Sequence, residues 1–215
     1  MINVYIAGTK LLDTEQKFED GLYKVNEQRR AKVLRCKNED DKKRTLLAGL
    51  ALRYGLEQMG LSYDALEFAQ TPEGKPYLVS YPQVHFSLSH SGEYAVCVIS
   101  DQNVGVDVEN QSRRLLASDR SEKRDAVARQ CFTEEEYIRF SSAKDEEKNK
   151  IFVELWTKKE AVSKAVGKGL AMDFTKICEP EENFWSLSID DCHYASVYCE
   201  DGPIRKEDVS VCMMN

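Results

Sequence analysis

In the run Val104-Gly105-Val106-Asp107-Val108-Glu109 apolar and polar positions alternate. A period of two sends the three valines to one face of a strand and Asp107 and Glu109 to the other. The carboxylates then stand ~6.6 Å apart along the strand and point the same way. Like charges so placed call for a cation, and hard oxygen ligands suit Mg²⁺. An edge strand with a solvated acidic face is the plainer account of the same pattern. A second segment adds weight to the chemical one. Between Phe152 and Lys164, residues Trp156, Glu160 and Lys164 recur at i, i+4 and i+8, one stripe of a helix, while Leu155, Val162 and Val166 fall on another. Glu160 and Lys164 could equally form a surface ion pair worth about 0.3–0.5 kcal/mol, and Trp156 could belong to the core.

Basic and small groups elsewhere fit an anion. Ser89-His90-Ser91-Gly92 follows a strand and ends in a turn, a position from which hydroxyls, an imidazole and backbone N–H groups can face a phosphate. Gly74-Lys75-Pro76 is a stiff loop carrying one lysine. The helix run 29–44 is basic and ends at Arg44, just before an apolar stretch that would turn that guanidinium inward. Each of these also has a structural account: a satisfied turn histidine, an ordinary turn, a solvated helix face.

The elements that must position these groups can be read coarsely. Residues 2–7 read as an opening strand, 26–59 as helical with Gly60 as a stop, and 71–76 as a breaker-rich loop. Strands follow at 85–89, 94–99 and 103–109. A helix enters at Thr133 with Glu136 three residues on, a capping-box pattern. A charged loop over 141–150 leads into a helix from 151 to about 166, stopped by Gly167-Lys168-Gly169. Segments 185–189, 193–198 and 209–213 close the chain as strands. Strands and helices mix without regular βαβα alternation, so the fold class is α+β.

Composition bounds the rest. The 215 residues allow one large domain or two halves. A net charge of -7 disfavours a nucleic-acid-binding role, which needs a basic footprint. The seven cysteines are scattered without a C-x-x-C pair, and the three histidines do not pair at i+4, so a disulfide framework and a zinc centre are both disfavoured. The N-terminus lacks a signal-peptide pattern, and no apolar stretch approaches the ~20 residues of a membrane span. The expectation is a cytoplasmic, monomeric protein without nucleic-acid or membrane partners.

Taken together, Gly74-Lys75-Pro76, Phe86-Ser87-Leu88-Ser89-His90-Ser91, Gly105-Val106-Asp107-Val108-Glu109 and Trp156-Thr157-Lys158-Lys159-Glu160-Ala161 with Lys164 resemble the 4′-phosphopantetheinyl transferases, in their larger, Sfp-type group. The resemblance runs from the first strand to Gly169-Leu170. It implies two similar α+β halves forming a pseudo-dimer, residues 1–102 and 103–215, with coenzyme A between them. It further implies Mg²⁺-dependent transfer of the 4′-phosphopantetheine arm of coenzyme A to a serine of an apo acyl or peptidyl carrier protein, releasing adenosine 3′,5′-bisphosphate. In that frame Asp107, Glu109 and Glu160 are the metal ligands. Glu160 is also the general base, and Lys164 the lysine that binds the pyrophosphate and stabilises the transition state. Ser89 and His90 make phosphate and adenine-side contacts, Gly74, Lys75 and Pro76 form the adenine-side loop, and Arg44 binds the 3′-phosphate. The family often carries two lysines one helical turn apart ahead of Arg44. This sequence has Glu27-Gln28-Arg29-Arg30-Ala31-Lys32 there, leaving Arg30 or Lys32 as the substitute. The helix after Glu109 and the loop around Leu115-Leu116 are the expected carrier contacts. A hydrolase of nucleotide pyrophosphates using the same carboxylates, and a carrier-binding module without activity, are the competing readings.

Overall fold

The computed structural model describes residues 1–111 and 121–214, the side chain of Leu170 excepted. The first part of the chain runs β1 (Ile2–Gly8), α1 (Glu15–Tyr23), α2 (Glu27–Arg35), α3 (Glu39–Gln58), β2 (Phe68–Gln70), β3 (Pro76–Leu78), β4 (His85–Ser91) and β5 (Tyr94–Ser100). The second runs β6 (Val104–Asn110), α4 (Ser121–Cys131), α5 (Glu134–Ser141), α6 (Asp145–Val166), β7 (Phe184–Ser188), β8 (His193–Cys199) and β9 (Val209–Met214). One sheet has the order β4-β5-β1-β9, another β6-β8-β7, and β2-β3 form a small hairpin. In each half one long helix packs on a sheet, α3 on β1 and β5 and α6 on β6 and β8. The class is α+β with two similar halves, as the motifs imply. The end of the chain crosses back: β9 pairs parallel to β1, with Ile2 opposite Val209.

Helix boundaries differ from the sequence reading where local capping decides them. The stretch 26–59 is two helices, because Cys36 turns extended and the Asn38 side chain accepts the Asp40 N–H at 2.8 Å, restarting the helix as α3. Helix α1 escaped the apolar pattern and is announced by its cap: Thr14 accepts the Lys17 N–H at 3.2 Å. The charged stretch 141–150 is not all loop. Helix α6 starts at Asp145, with Asp145, Glu146 and Glu147 in its first turn, where acidic side chains oppose the positive end of the helix dipole. Thr133 and Glu136 form the expected capping box on α5.

The two sheets share a core. Val104, Val106 and Val108 of β6 pack against Ile2, Val4, Ile6, Val96 and Val98 of β1 and β5, all buried. Serines on alternate positions of β4 fasten its other edge to β6. The hydroxyls of Ser87, Ser89 and Ser91 accept the backbone N–H groups of Val106, Val108 and Asn110 at 3.1, 3.2 and 3.1 Å. Side-chain oxygens thus satisfy one edge of β6, which would otherwise leave buried donors unpaired. On the opposite face of β6, Gly105 lets α6 approach so closely that a Cβ there would lie 1.9 Å from the Ala161 carbonyl oxygen. That contact brings the helix stripe beside the carboxylates.

Candidate active site

A cleft of about 490 Å³ opens where the two halves meet. One wall comes from the first half, with Arg29 and Lys32 on α2, Gly74, Lys75 and Pro76 at the β2–β3 turn, and Ser89 and His90 on β4. The other comes from the second half, with Asp107 and Glu109 on β6 and Trp156, Glu160 and Lys164 on α6. The period-two and i, i+4, i+8 patterns therefore lead to one place.

Asp107 is only 4% exposed. Its Oδ1 accepts the Lys164 ammonium at 2.6 Å and the Ser89 hydroxyl at 2.7 Å, and Lys164 also donates to Ser89 Oγ at 2.9 Å. Lys164 thus reaches from α6 to the carboxylate of β6, rather than closing the simple helix ion pair with Glu160. Glu109 Oε2 accepts the Ser91 hydroxyl at 2.8 Å. Glu160 is raised to about 7, chiefly by burial and then by the Asp107 charge, with Lys164 pulling the other way and Glu109 adding to the rise. Trp156 serves both as cleft wall and as core, stacking on Phe152 at 5.9 Å and packing on Phe174.

The basic wall is equally constrained. Burial lowers Arg29 and Lys32 from their usual ranges. His90 is lowered to about 4 by burial, with Arg44, Lys32, Lys164 and Arg29 adding to the effect, so its imidazole is neutral near pH 7. Four cations converging on a neutral ring make an anion-attracting corner.

Two residues implied in cofactor binding are engaged otherwise. Arg44 does not line the cleft: its Nη1 donates to the Gly92 carbonyl at 3.0 Å and its Nη2 pairs with Asp41. Lys75 lines the cleft, but its ammonium donates to Asn103 Oδ1 at 2.7 Å and to the Ala165 carbonyl, clamping the β2–β3 turn onto the end of α6. Of the two substitutes on α2, Lys32 faces the cleft, whereas Arg30 turns away to the Leu22 carbonyl at 2.8 Å. Arg29 was missed as a cleft residue. Its signal was the i, i+3 spacing to Lys32, together with Gly49 on the facing helix, where a Cβ would stand 2.7 Å from Arg29 Cγ. Leu115 and Leu116 lie outside the described residues.

Whether these groups suit a divalent cation can be tested on Asp107. Its Oδ2 is buried without a hydrogen-bond partner among the described residues, a costly state that a cation would relieve. The donor set consists of carboxylates, the ligands hard cations prefer, and Glu160 is disfavoured as an anion by the other two. The residues fit Mg²⁺ in chemistry. Among the described residues no three acidic, His or Cys side chains converge closely enough to cage a metal as they stand.

A cation-lined pocket facing clustered carboxylates, split between two similar α+β halves, defines a site for a polyanionic substrate. Comparison with known proteins makes this specific. The model of the 4′-phosphopantetheinyl transferase superfamily matches residues 103–210, and that of the 4′-phosphopantetheinyl transferase N-terminal region matches 12–102. The chain belongs to the 4′-phosphopantetheinyl transferase superfamily. It is 28% identical over 184 residues to a 4′-phosphopantetheinyl transferase of Bacillus subtilis, covering 83% of this chain and 72% of that one. It is 27% identical over 172 residues to the transferase Sfp of Bacillus subtilis strain 168, covering 79% and 73%. It is 33% identical over 162 residues to the transferase gsp of Aneurinibacillus migulanus, covering 75% of this chain and 61% of that relative. The Sfp-type resemblance read from the motifs is borne out, and the chain is an enzyme of this transferase class.

Proposed function

We propose that this enzyme transfers the 4′-phosphopantetheine arm of coenzyme A to a serine of an apo acyl or peptidyl carrier protein, with Mg²⁺, releasing adenosine 3′,5′-bisphosphate. The observation that carries the reading is the meeting of Lys164, Asp107 with its unpartnered oxygen, and Glu160 opposite the cations of α2 in one cleft. In this reading residues 1–102 and 103–215 act as two lobes. Arg29 and Lys32 bind the 3′-phosphate with Arg44 behind them, and Ser89 and His90 contact the phosphates. Gly74, Lys75 and Pro76 support the adenine side through their backbone.

Asp107, Glu109 and Glu160 would hold Mg²⁺, which supplies Lewis-acid neutralisation of the pyrophosphate. Lys164 offsets charge on the same group as the bond breaks. Glu160 takes the proton of the carrier serine. Burial and the Asp107 and Glu109 charges raise its affinity for a proton above that of a solvated carboxylate, which suits a base. A bond forms between serine oxygen and the pantetheine-bearing phosphorus, and the bond from that phosphorus to the bisphosphate leaving group breaks. Both walls come from one chain, which supports a monomer, and a scattered set of cysteines with no C-x-x-C pair supports a reducing, cytoplasmic setting. The net charge of -7 argues against a nucleic-acid partner, and no helix among the described residues is long and apolar enough to cross a membrane. The test is incubation with Mg²⁺, coenzyme A and apo carrier proteins. A mass gain on the carrier serine supports transfer, whereas cleavage of coenzyme A without any carrier favours the hydrolase.

A further inference from the structure

The turn that follows Ser91 is sewn to the second half by one imidazole outside the family motifs. His193, the first residue of β8, stands opposite Asn110 at the end of β6 and is 3% exposed. Its Nδ1 lies 2.9 and 3.0 Å from the two oxygens of Asp190, which only accept, so Nδ1 carries the hydrogen. Its Nε2 faces the Glu93 backbone N–H, which can only donate, so Nε2 is an acceptor. It receives the Glu93 backbone N–H at 3.3 Å and the Asn110 side-chain amide at 2.8 Å. Asp190 is itself fixed by the N–H groups of Cys192 and His193 at 2.8 and 2.7 Å, and the Tyr94 ring meets the imidazole edge-on at 4.9 Å. Gly92 has φ +54°, and a Cβ on it would lie 2.2 Å from His193 Nε2, so the turn and the ring are fitted to each other.

The carbonyl of Gly92 holds the Arg44 guanidinium together with Asp41, and the Arg44 charge is among those acting on His90 in the cleft. We propose that His193, oriented by Asp190, is a positioning residue for coenzyme A: it pins the Gly92–Glu93 peptide and through that carbonyl sets Arg44 beside the phosphate corner. The proposal rests on the transferase reading above. Loss of the clip leaves the carboxylates in place, because Ser89 and Ser91 remain hooked to the backbone of β6. The effect therefore falls on coenzyme A affinity rather than on turnover.

Two variants test this against the wild-type enzyme. His193→Phe keeps the ring volume and the Tyr94 contact but has no acceptor, whereas His193→Gln places an amide oxygen near the position of Nε2. The expected result for the Phe variant is about tenfold faster amide exchange at Glu93 by NMR and about a tenfold rise in KM for coenzyme A. Its kcat should stay within about threefold of wild type, and the Gln variant should be close to wild type in all three. Wild-type exchange and KM in the Phe variant overturn the proposal, as does a Gln variant as defective as Phe. If the wild-type enzyme fails to modify any carrier, the transferase reading has failed, and the clip is then decided by Glu93 exchange alone.

Discussion

Burial and two neighbouring carboxylates all oppose a charge on Glu160. Glu160→Gln keeps the shape and removes the proton acceptor. Transfer is expected to drop at least about 100-fold, the usual reach of a general base, while the melting temperature at pH 8 does not fall, because a disfavoured charge has gone. Initial rates and thermal melts check both halves of that statement, and near-normal turnover in the folded variant contradicts the assigned role. His90 makes a pH prediction of the opposite kind. Folding lowers it from 6.5 to about 4, so between those values the unfolded chain binds a proton that the native protein does not. Its contribution to stability is present above about pH 6.5 and is lost as pH falls toward 4. Melting temperature against pH should decline less steeply in His90→Gln than in the wild type over that window.

At the scale of elements, strand β6 and helix α6 make the site by touching. The contact depends on Gly105, where a Cβ would also come within 2.7 Å of the Ala165 backbone nitrogen. Neither neighbour is a flexible side-chain tip, so Gly105→Ala must push the helix away. A destabilisation of about 3 kcal/mol is expected from such overpacking, together with loss of the Lys164–Asp107 pair, read by denaturant unfolding and by coenzyme A binding. Lys159 secures the other side of α6. It is 1% exposed, and its ammonium reaches Glu136 of the α5 capping box at 2.7 Å and the Phe174 carbonyl at 2.8 Å. Residues on a regular period were legible: Asp107 with Glu109 on the strand, and Trp156 with Glu160 and Lys164 on the helix. Val166, placed with the apolar stripe, is 37% exposed because the helix ends one residue later, at Gly167 with φ +82°. What periodicity does not carry is pairing across long sequence separations. Ser89 meets Asp107 across 18 positions, Lys75 meets Asn103 across 28, and Lys164 meets Asp107 across 57. Arg29 belongs with these, since its place depends on a glycine of the next helix.

Across the whole molecule, the net charge of -7 conceals a sorted interior. Arg29 and Lys32 of α2 and Lys75 of the β2–β3 turn face carboxylates from β6, and the valine core beneath joins the two sheets so that the facing walls keep their spacing. The return of β9 to β1 ties residues 209–214 to the first strand, so the sheet of the first half takes its edge strand from the second, while β6-β8-β7 is built from the second half alone. An acidic carrier would approach an enzyme of the same net sign, and its association should be slow and salt-sensitive unless a locally basic or apolar surface receives it. The central claim is the transfer itself. Intact mass spectrometry of an apo carrier protein after incubation with this enzyme, coenzyme A and Mg²⁺ tests it most directly. The predicted result is one phosphopantetheine added per carrier, lost when the target serine is replaced by alanine. An unmodified carrier across acyl and peptidyl types, with the enzyme folded and coenzyme A intact or merely hydrolysed, would contradict it.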